Sequence, residues 1–261
     1  MEIIKNLNSR IPIIGVPGWK IGENSFGCTL VYLYYLSHFG EVKILTTINE
    51  VDESLDLLVI PGGSDVDPGR YNQAPGYYNS KPDPIKEYFD TAILPKYIEN
   101  GTPILGICRG AQSIAVLFKA QLIQHMYHES NTEILGRSAT VHTLTLADES
   151  KFKSEYVKAY SDKAGKIKPI KVNSMHHQCI SAYNFPSNIL EIIAYYKGSN
   201  PTSIEAFRHK TLPIYGLQYH PEELEEDPFG DYIVNLLIKQ SKNFIKEDEV
   251  ILDSGQVLDN D

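Results

Sequence analysis

The stretch Pro103-Ile-Leu-Gly-Ile-Cys-Arg-Gly-Ala-Gln112 decides the fold of this chain. An apolar run enters Gly106, the cysteine Cys108 follows two residues later, and Gly110 precedes an apolar-periodic stretch. This layout is typical of a nucleophile elbow, where a strand ends in a sharp turn and a helix begins directly behind the nucleophile. The glycines permit the tight backbone, and a helix N-terminus favours a thiolate. The stretch predicts a reactive cysteine, with a buried structural cysteine as the alternative.

Strand and helix patterns alternate on both sides of the elbow, with an irregular, hairpin-like stretch over residues 122–172. The predicted strands cover residues 11–16, 42–46, 56–60, 102–107, 189–195, 203–207 and 212–217. The predicted helices cover residues 26–39, 85–99, 109–118 and 230–245. This alternation predicts one doubly wound α/β domain with a mostly parallel central sheet flanked by helices, over residues 1–246.

Composition narrows the class of protein. The net charge is −9, and six acidic side chains without Lys or Arg lie in residues 247–261, which leaves about −3 for the rest. We therefore expect a solvated acidic tail and no basic face for direct nucleic-acid binding. No apolar run is long enough for a membrane span, and three cysteines without CxxC spacing favour a reducing, cytoplasmic location without disulfides.

A cysteine nucleophile needs a base and a group that orients the base. His220 follows a predicted buried strand, so it lies at a carboxyl end, where open α/β sheets place their sites. Glu222 is two residues further on and can accept a hydrogen bond from the imidazole. The sequence therefore predicts Cys108, His220 and Glu222 as catalytic residues, whereas a surface histidine is the alternative for His220 taken alone.

A tetrahedral intermediate also needs an oxyanion hole. The amide of Arg109 directly follows the nucleophile, and a second amide is available in Pro61-Gly62-Gly63 after a neighbouring apolar strand. These glycines could form only a turn. Their place at a strand end favours Gly63 and Arg109 as oxyanion donors.

Together these segments resemble the class I glutamine amidotransferase superfamily, and most closely the γ-glutamyl-γ-aminobutyrate hydrolase family grouped with the C26 peptidases. The motifs that carry the resemblance stand in the family's order between residues 11 and 238: Gly62-Gly-Ser-Asp-Val-Asp-Pro68, Gly106-Ile-Cys-Arg-Gly-Ala-Gln112, Asn173-Ser-Met-His-His-Gln178, Ile204-Glu-Ala206 and Gly216-Leu-Gln-Tyr-His-Pro-Glu222.

The resemblance implies a Cys–His–Glu triad that cleaves a γ-glutamyl amide bond through a γ-glutamyl thioester, without a metal or organic cofactor. It also implies that several residues line the substrate side of the cleft: Gly62, Gln112, Asn173, Ser174, His176 and His177. For the two histidines a structural pair is an equal alternative. Asp65 and Asp67 are expected to shape the loop after the glycines, and His125 and His128 are expected to be structural rather than metal ligands.

The chain departs from the family at a few positions. Where the family has Asn and then Gly-Gly after the elbow helix, this chain has Ala115 and Lys119-Ala120. The family's Arg-Asp pair in the preceding helix is Lys86-Glu87 here, and Tyr219 stands where Trp is common before the His-Pro-Glu segment. A lysine in place of glycine could crowd a turn near the pocket.

Three functions remain open at this point. The first is a stand-alone hydrolase of γ-glutamyl amides of a small metabolite. The second is a glutaminase that delivers ammonia to a separate synthetase or nucleotide-modifying partner, because the chain holds no synthetase domain. The third, from another class, is a non-catalytic binding protein on the same fold. The sequence does not identify the amine half of the substrate or the oligomeric state.

Overall fold

The computed structural model describes residues 10–23, 25–46, 50–126, 135–148, 150–199 and 202–243. Within these ranges strands and helices alternate in the predicted order around the elbow. The predicted acidic tail, residues 247–261, lies outside the described residues, and so do His128 and the end of the last predicted helix.

The strands are short, and most lie close to their predicted positions. They are β1 (Ile13–Pro17), β2 (Trp19–Gly22), β3 (Ser25–Gly27), β4 (Glu41–Leu45), β5 (Leu57–Ile60), β6 (Ile104–Ile107), β7 (Leu122–Ile123), β8 (His142–Thr143), β9 (Thr145–Leu146), β10 (Lys171–Val172), β11 (Cys179–Ile180), β12 (Leu190–Tyr196), β13 (Ser203–His209) and β14 (Ile214–Leu217).

The α-helices are α1 (Leu30–Ser37), α2 (Pro84–Tyr88), α3 (Leu94–Glu99), α4 (Arg109–Leu117), α5 (Lys151–Tyr160) and α6 (Pro228–Lys239). A π-helical turn over Phe89–Ile93 joins α2 to α3, so the predicted helix over residues 85–99 is continuous but not uniform. Pro95 lies at the start of α3 and has no N–H to donate, and a wider turn before it accommodates the missing hydrogen bond.

The sheet confirms the predicted α/β fold. Its strand order is β4-β1-β5-β6-β14-β13-β11-β7, with β12 beside β13 and β9 beside β12. The five strands from β4 to β14 are parallel, whereas β13 and the strands beyond it pair antiparallel. The elbow strand β6 lies between β5 and β14, so the loops that follow these three strands meet at one edge of the sheet.

Two apolar cores cover the two faces of this sheet, because side chains alternate along each strand. On β5, Leu57 and Val59 belong to the core that contains residues of α1, α5 and α6, whereas Leu58 and Ile60 belong to the core under the π-helical turn, α3 and α4. Strand β5, next to the elbow strand β6, is therefore buried on both sides. Near-continuous apolar runs such as Leu57–Ile60 are typical of such strands.

Two predicted elements need correction. The helix predicted over residues 26–39 begins at Leu30, because Ser25–Gly27 pairs with Trp19–Gly22 in a hairpin. The irregular middle stretch contains helix α5, which was not predicted from the sequence. Its signals are Ser150, whose Oγ accepts a hydrogen bond from the Lys153 amide at 3.0 Å, and the buried i, i+4 pair of Phe152 and Tyr156.

Candidate functional site

The elbow presents Cys108 in a strained backbone conformation. Cys108 has φ +52° and ψ −111°, a region that L-residues with a side chain rarely adopt, and it directly precedes α4. Its amide donates to the Leu217 carbonyl of β14 at 2.7 Å. A methyl group on Gly110 would lie 2.1 Å from the Ile60 carbonyl oxygen, and one on Gly106 would lie 2.7 Å from the Ala111 nitrogen. Both elbow positions therefore exclude any side chain.

His220 and Glu222 form a buried pair directly after β14. Nδ1 of His220 lies 2.6 Å from Oε1 of Glu222, and both side chains are almost fully buried. Burial lowers the pKa of His220, but the negative charges of Glu222 and Cys108 and hydrogen bonds to both raise it, so the pKa lies well above its ordinary value. With Nδ1 engaged by the carboxylate, Nε2 is the nitrogen that is left to exchange a proton with the cysteine.

Gly62 marks the point where the cysteine and histidine approach each other. A methyl group at this position would lie 2.9 Å from Cε1 of His220 and 3.5 Å from Cβ of Cys108. The structure therefore brings together Cys108, His220 and Glu222, from segments that are more than one hundred residues apart, around a glycine of the loop after β5.

The loop after β5 is held on both sides of Gly62. The Gly62 amide donates to the Tyr32 hydroxyl of α1 at 2.9 Å. Its carbonyl accepts a hydrogen bond from Nζ of Lys86 at 2.8 Å. The next amide belongs to Gly63, and the other predicted donor, Arg109, is the first residue of α4, so its N–H has no acceptor within the helix. The two predicted oxyanion donors thus flank the Cys108 turn.

The Arg109 side chain ties the elbow to its surroundings, a role that was not predicted from the sequence. Its Nη2 pairs with Glu87 at 2.5 Å and its Nη1 pairs with Asp90 in the π turn. Its Nε also donates to the Ser64 carbonyl at 3.2 Å. Arg70 completes the network, 3.2 Å from both carboxylates. The contacts join positions 17 to 45 residues apart, so no local pattern could have indicated them.

Asn173 supports the backbone of His220. Its Oδ1 accepts from the His220 amide at 2.9 Å, and its Nδ2 donates to the His220 carbonyl at 2.8 Å. The side chain is fully buried, and both of its polar atoms are engaged. These two bonds fix the backbone of the histidine. The predicted place of Asn173 on the substrate side of the cleft stays a prediction.

Gln112 and His176 lie behind the elbow. Nε2 of Gln112 donates to the Gln178 carbonyl at 3.1 Å and to Oε1 of Gln218 at 3.2 Å. Nδ1 of His176 lies 2.9 Å from the same Gln178 carbonyl. Ser174 is fully buried in the same segment. Contact of Gln112, Ser174 and His176 with a substrate stays a prediction.

His177, unlike His176, is partly exposed. Its Nε2 lies 3.2 Å from Oδ1 of Asp65, and its Nδ1 lies 3.3 Å from Nδ1 of His125. Asp65 also accepts from the Ser80 amide at 2.7 Å, which agrees with the predicted role of this carboxylate in shaping the loop. His125 in turn stacks on the Tyr78 ring at 3.9 Å. His177 therefore connects the Asn173–Gln178 segment to the loop after β5.

A second acidic side chain, Glu205, is buried beside this region without having been assigned a role. Its Oε2 lies 3.5 Å from Nε2 of His142. Burial raises the pKa of Glu205, but the interaction with His142 and the charge of His176 lower it, so that the net pKa is below its ordinary value. Glu205 belongs to the Ile204-Glu-Ala206 motif, and the structure relates that motif to His142, which no sequence motif had singled out.

The described residues hold no group of three or more His, Cys, Asp or Glu side chains that could bind a metal ion. All three cysteines, Cys28, Cys108 and Cys179, are free thiols. Within the described ranges no helix has the length and apolar character that a membrane span requires.

A family model described as peptidase C26 matches residues 41–222. A glutamine amidotransferase-like protein of Rickettsia prowazekii is 31% identical over 233 residues, which cover 75% of this chain and 80% of that protein. A glutamine amidotransferase-like protein of Lactococcus lactis is 30% identical over 226 residues, which cover 81% of this chain and 90% of that protein.

Solved structures share the fold. The crystal structure of a protein described as a GMP synthase subunit, from Thermoplasma acidophilum, has a TM-score of 0.57 and 25% identity, covering 92% of this chain and 99% of that one. A glutamine amidotransferase of Thermotoga maritima has a TM-score of 0.52 and covers 93% of this chain and 87% of that one. At 14% identity, the second likeness concerns the fold alone.

Proposed function

Because the chain belongs to the peptidase C26 family of glutamine amidotransferase-like proteins, we propose that it hydrolyses γ-glutamyl amide bonds with Cys108 as nucleophile. The substrate would be glutamine or a γ-glutamyl amine. The observation that carries this proposal is the buried His220–Glu222 pair at 2.6 Å, set against the Cys108 elbow around Gly62. A thiol with an oriented base is the arrangement that covalent acyl transfer requires.

Acylation would begin with the Cys108 thiolate attacking the γ-carbonyl carbon. The carbonyl oxygen becomes an oxyanion, which the amides of Gly63 and Arg109 would stabilise. The C–N bond then breaks as the His220 imidazolium gives its proton to the departing nitrogen. The raised pKa of His220 keeps this proton available at neutral pH. The products of this half-reaction are a γ-glutamyl thioester and free ammonia or an amine.

Deacylation would reverse these roles. Neutral His220 takes a proton from water, the hydroxide attacks the thioester carbon, and the thiolate leaves as glutamate forms. The same two amides would hold the second oxyanion. Glu222 stabilises the imidazolium in both halves of the cycle, and Asn173 keeps the His220 backbone in place.

The decisive experiment measures release of glutamate and of ammonia or amine from glutamine and from a panel of γ-glutamyl amines. Wild type is compared with Cys108→Ala, and Cys179→Ala serves as the matched control because it also removes a buried thiol. We expect the first variant to lose activity by at least about 10³-fold, since the nucleophile is gone, and the second to stay within a few-fold of wild type.

Two results would refute the proposal. Wild-type rates in the Cys108→Ala variant would exclude this residue as nucleophile. A wild-type protein that consumes no member of the panel, alone or with a synthetase added, would favour a non-catalytic binding protein instead.

A second candidate function is a glutaminase that supplies ammonia to a separate synthetase. It is favoured by the likeness to a protein described as a GMP synthase subunit, which covers 92% of this chain. The same assay separates the two functions. A stand-alone hydrolase turns over its substrate unaided, whereas an ammonia donor stays slow on glutamine until its partner is present.

A further inference from the structure

Lys86 is a buried lysine whose ammonium group contacts the backbone of the loop after β5. The residue is 8% exposed, its Nζ donates to the Gly62 carbonyl at 2.8 Å, and this nitrogen lies 4.0 Å from the centre of the Trp19 ring. Burying a cation is unfavourable unless the surroundings compensate for the lost hydration. The groups that the buried ammonium contacts should therefore explain why Lys86 is buried.

Lys86 makes no ion pair within the described residues. The nearby carboxylates of Glu87 and Asp90 pair with Arg70 and Arg109. The ammonium group of Lys86 instead contacts a backbone carbonyl and an aromatic face. Such a lysine is not a member of the neighbouring salt-bridge network, so its role is separate from anchoring the elbow.

The contacted carbonyl belongs to the same peptide unit as the Gly63 amide. A trans peptide is planar, and its C=O and N–H groups point in opposite directions. Holding the Gly62 oxygen therefore fixes the direction of the Gly63 N–H. The preceding amide, that of Gly62, is held by the Tyr32 hydroxyl at 2.9 Å, so the loop cannot turn as a unit around the restrained carbonyl.

The lysine stem also covers Gly63. Gly63 has φ +155°, and a methyl group on it would lie 2.7 Å from Cε of Lys86. Two consecutive glycines form a flexible backbone on their own, because neither carries a side chain that limits rotation. Lys86 supplies the missing restraint from helix α2, through both its methylene groups and its ammonium.

We propose that Lys86 is a positioning residue of the oxyanion hole, which holds the Gly62–Gly63 peptide so that the Gly63 N–H faces the carbonyl oxygen of the bound γ-glutamyl group. This inference rests on the proposed function. Without the lysine the peptide can rotate, and rotation would turn a carbonyl oxygen toward the developing oxyanion. The positive charge on the carbonyl side also polarises the peptide and strengthens the N–H as a donor.

Lys86 gains or loses its charge near neutral pH. Burial, and then the charge of Arg109, lower the pKa of Lys86 to about 7, while Asp90, Asp83 and Cys28 act in the opposite direction. Lys86 is therefore charged below about pH 7 and neutral above it, whereas an arginine at the same position would stay charged at every pH tested.

The test compares wild type with Lys86→Met, Lys86→Arg and the control Lys158→Met, an exposed helical lysine on α5. We expect Lys86→Met to lower kcat by about 10–100-fold with KM within about twofold, because a misdirected donor costs less than the ~10²–10³-fold of a deleted one. Lys86→Arg should recover most of kcat and weaken the alkaline decline near pH 7. Lys158→Met should match wild type.

A second measurement does not depend on turnover. In protein labelled with ¹⁵N-glycine, the Gly63 amide resonance should titrate near pH 7 in wild type, stay constant with pH in Lys86→Arg, and be displaced in Lys86→Met. Alkylation of Cys108 by iodoacetamide should proceed at similar rates in all three proteins, because the thiol and its base are untouched.

The outcomes separate the two proposals. Equal kcat in wild type and all Lys86 variants would overturn the role of Lys86 and leave the proposed function intact. An equal loss of kcat and of Cys108 alkylation in Lys86→Met would indicate a structural defect and would also overturn it. If wild type hydrolyses no γ-glutamyl amide, the proposed function fails, and an unchanged Gly63 resonance in Lys86→Met would then refute the positioning as well.

Discussion

The Cys108 residue combines backbone strain with a chemical purpose. Its φ of +52° would cost about 1–3 kcal/mol in isolation. The fold maintains this conformation through the hydrogen bond from the Cys108 amide to the Leu217 carbonyl and the close packing of Gly110 on Ile60. The strain and the exclusion of side chains at the neighbouring glycines thus have one cause, the sharpness of the turn.

Replacement of Glu222 by Gln removes the negative charge next to His220 but keeps a side chain of nearly the same shape. Glu222 raises the pKa of His220 against the effect of burial. Its loss should lower that pKa, so the alkaline limb of the kcat/KM profile moves to lower pH, and the rate at neutral pH falls by about 10²–10⁴-fold. The profile from pH 5 to 9 measures both effects.

The same variant carries a stability signature with a fixed sign. A histidine whose pKa is raised by folding contributes stability below its ordinary pKa of 6.5, and this contribution is lost as pH rises through the folded value. The free energy of unfolding of wild type should therefore fall above neutral pH relative to Glu222→Gln. Parallel stability curves for the two proteins would contradict the coupling of His220 to Glu222.

The sequence predicted the location of individual site residues where they directly follow the end of a strand. Cys108, His220 and the glycines after β5 each follow an apolar run, and parallel strands bring such ends together. Lys86 and Asn173 act through contacts with segments 24 and 47 residues away, and no short-range pattern reveals which carbonyl a side chain will reach. These supports therefore became visible only in the structure.

At the scale of elements, helix α4 ends in a conformation that a glycine would favour. Lys119 has φ +74°, and the amides of Lys119 and Ala120 donate to the carbonyls of Val116 and Ala115, both at 2.9 Å. This is a helix C-terminus with a left-handed residue after it. The chain keeps the turn despite the lysine, at the cost of backbone strain at Lys119.

Lys119→Gly should therefore stabilise the protein. Relief of the left-handed strain, less the extra freedom of glycine in the unfolded chain, predicts a gain of about 0.5–1 kcal/mol in the free energy of unfolding. Lys119→Ala keeps the side-chain strain and serves as the control, with a change near zero. Urea unfolding measures both. A Lys119→Gly protein that is less stable than wild type would show that the lysine side chain makes a compensating contact.

Elements with a strong local signal were placed well by the sequence. The buried runs of β5 and β6 and the start of helix α6 were found within two residues, whereas α6 ends at Lys239, six residues before its predicted end. Helix α5 was missed because its many lysines and tyrosines obscure the spacing of its buried residues. Helix α1 was extended too far, because the apolar Phe26 belongs to a hairpin strand rather than to the helix. Pairing between strands overrides local pattern in such cases.

At the scale of the whole molecule, the sequence anticipated the fold and the family, and the comparisons confirm both. Both predictions depended on the order of the motifs along the chain. Strands β7 and β11 were not predicted, because they are two residues long and exist only through pairing with their neighbours. The domain boundary before the acidic tail stays a prediction.

The buried ion pairs of Arg70 and Arg109 with Glu87 and Asp90 connect distant parts of the chain, and their contribution to stability can be measured. Asp90 is 1% exposed and pairs with both Arg70 and Arg109, so it joins the π turn to the elbow. Asp90→Asn leaves two arginines short of a counter-charge, and we expect a loss of about 3 kcal/mol in the free energy of unfolding together with reduced kcat. Denaturant unfolding and the hydrolysis assay measure the two losses.

The matched control for this change is Asp148→Asn. Asp148 also pairs with a basic side chain, Lys153 at 2.7 Å, but its own side chain is 81% exposed. We expect its replacement to leave the free energy of unfolding nearly unchanged, because solvent screens an exposed ion pair. Similar losses in the two variants would mean that the buried network contributes no more than a surface pair.

The position of β14 has a consequence for synthesis of the protein. The Leu217 carbonyl, at the end of this strand, accepts a hydrogen bond from the Cys108 amide, and His220 follows three residues later, so a growing chain contains the proposed nucleophile long before the proposed base. A nascent chain that stops before Ile214 exposes an elbow without the strand that completes it. We therefore expect a chain that stops before Ile214 to lack hydrolytic activity, because it contains neither strand β14 nor the proposed base His220.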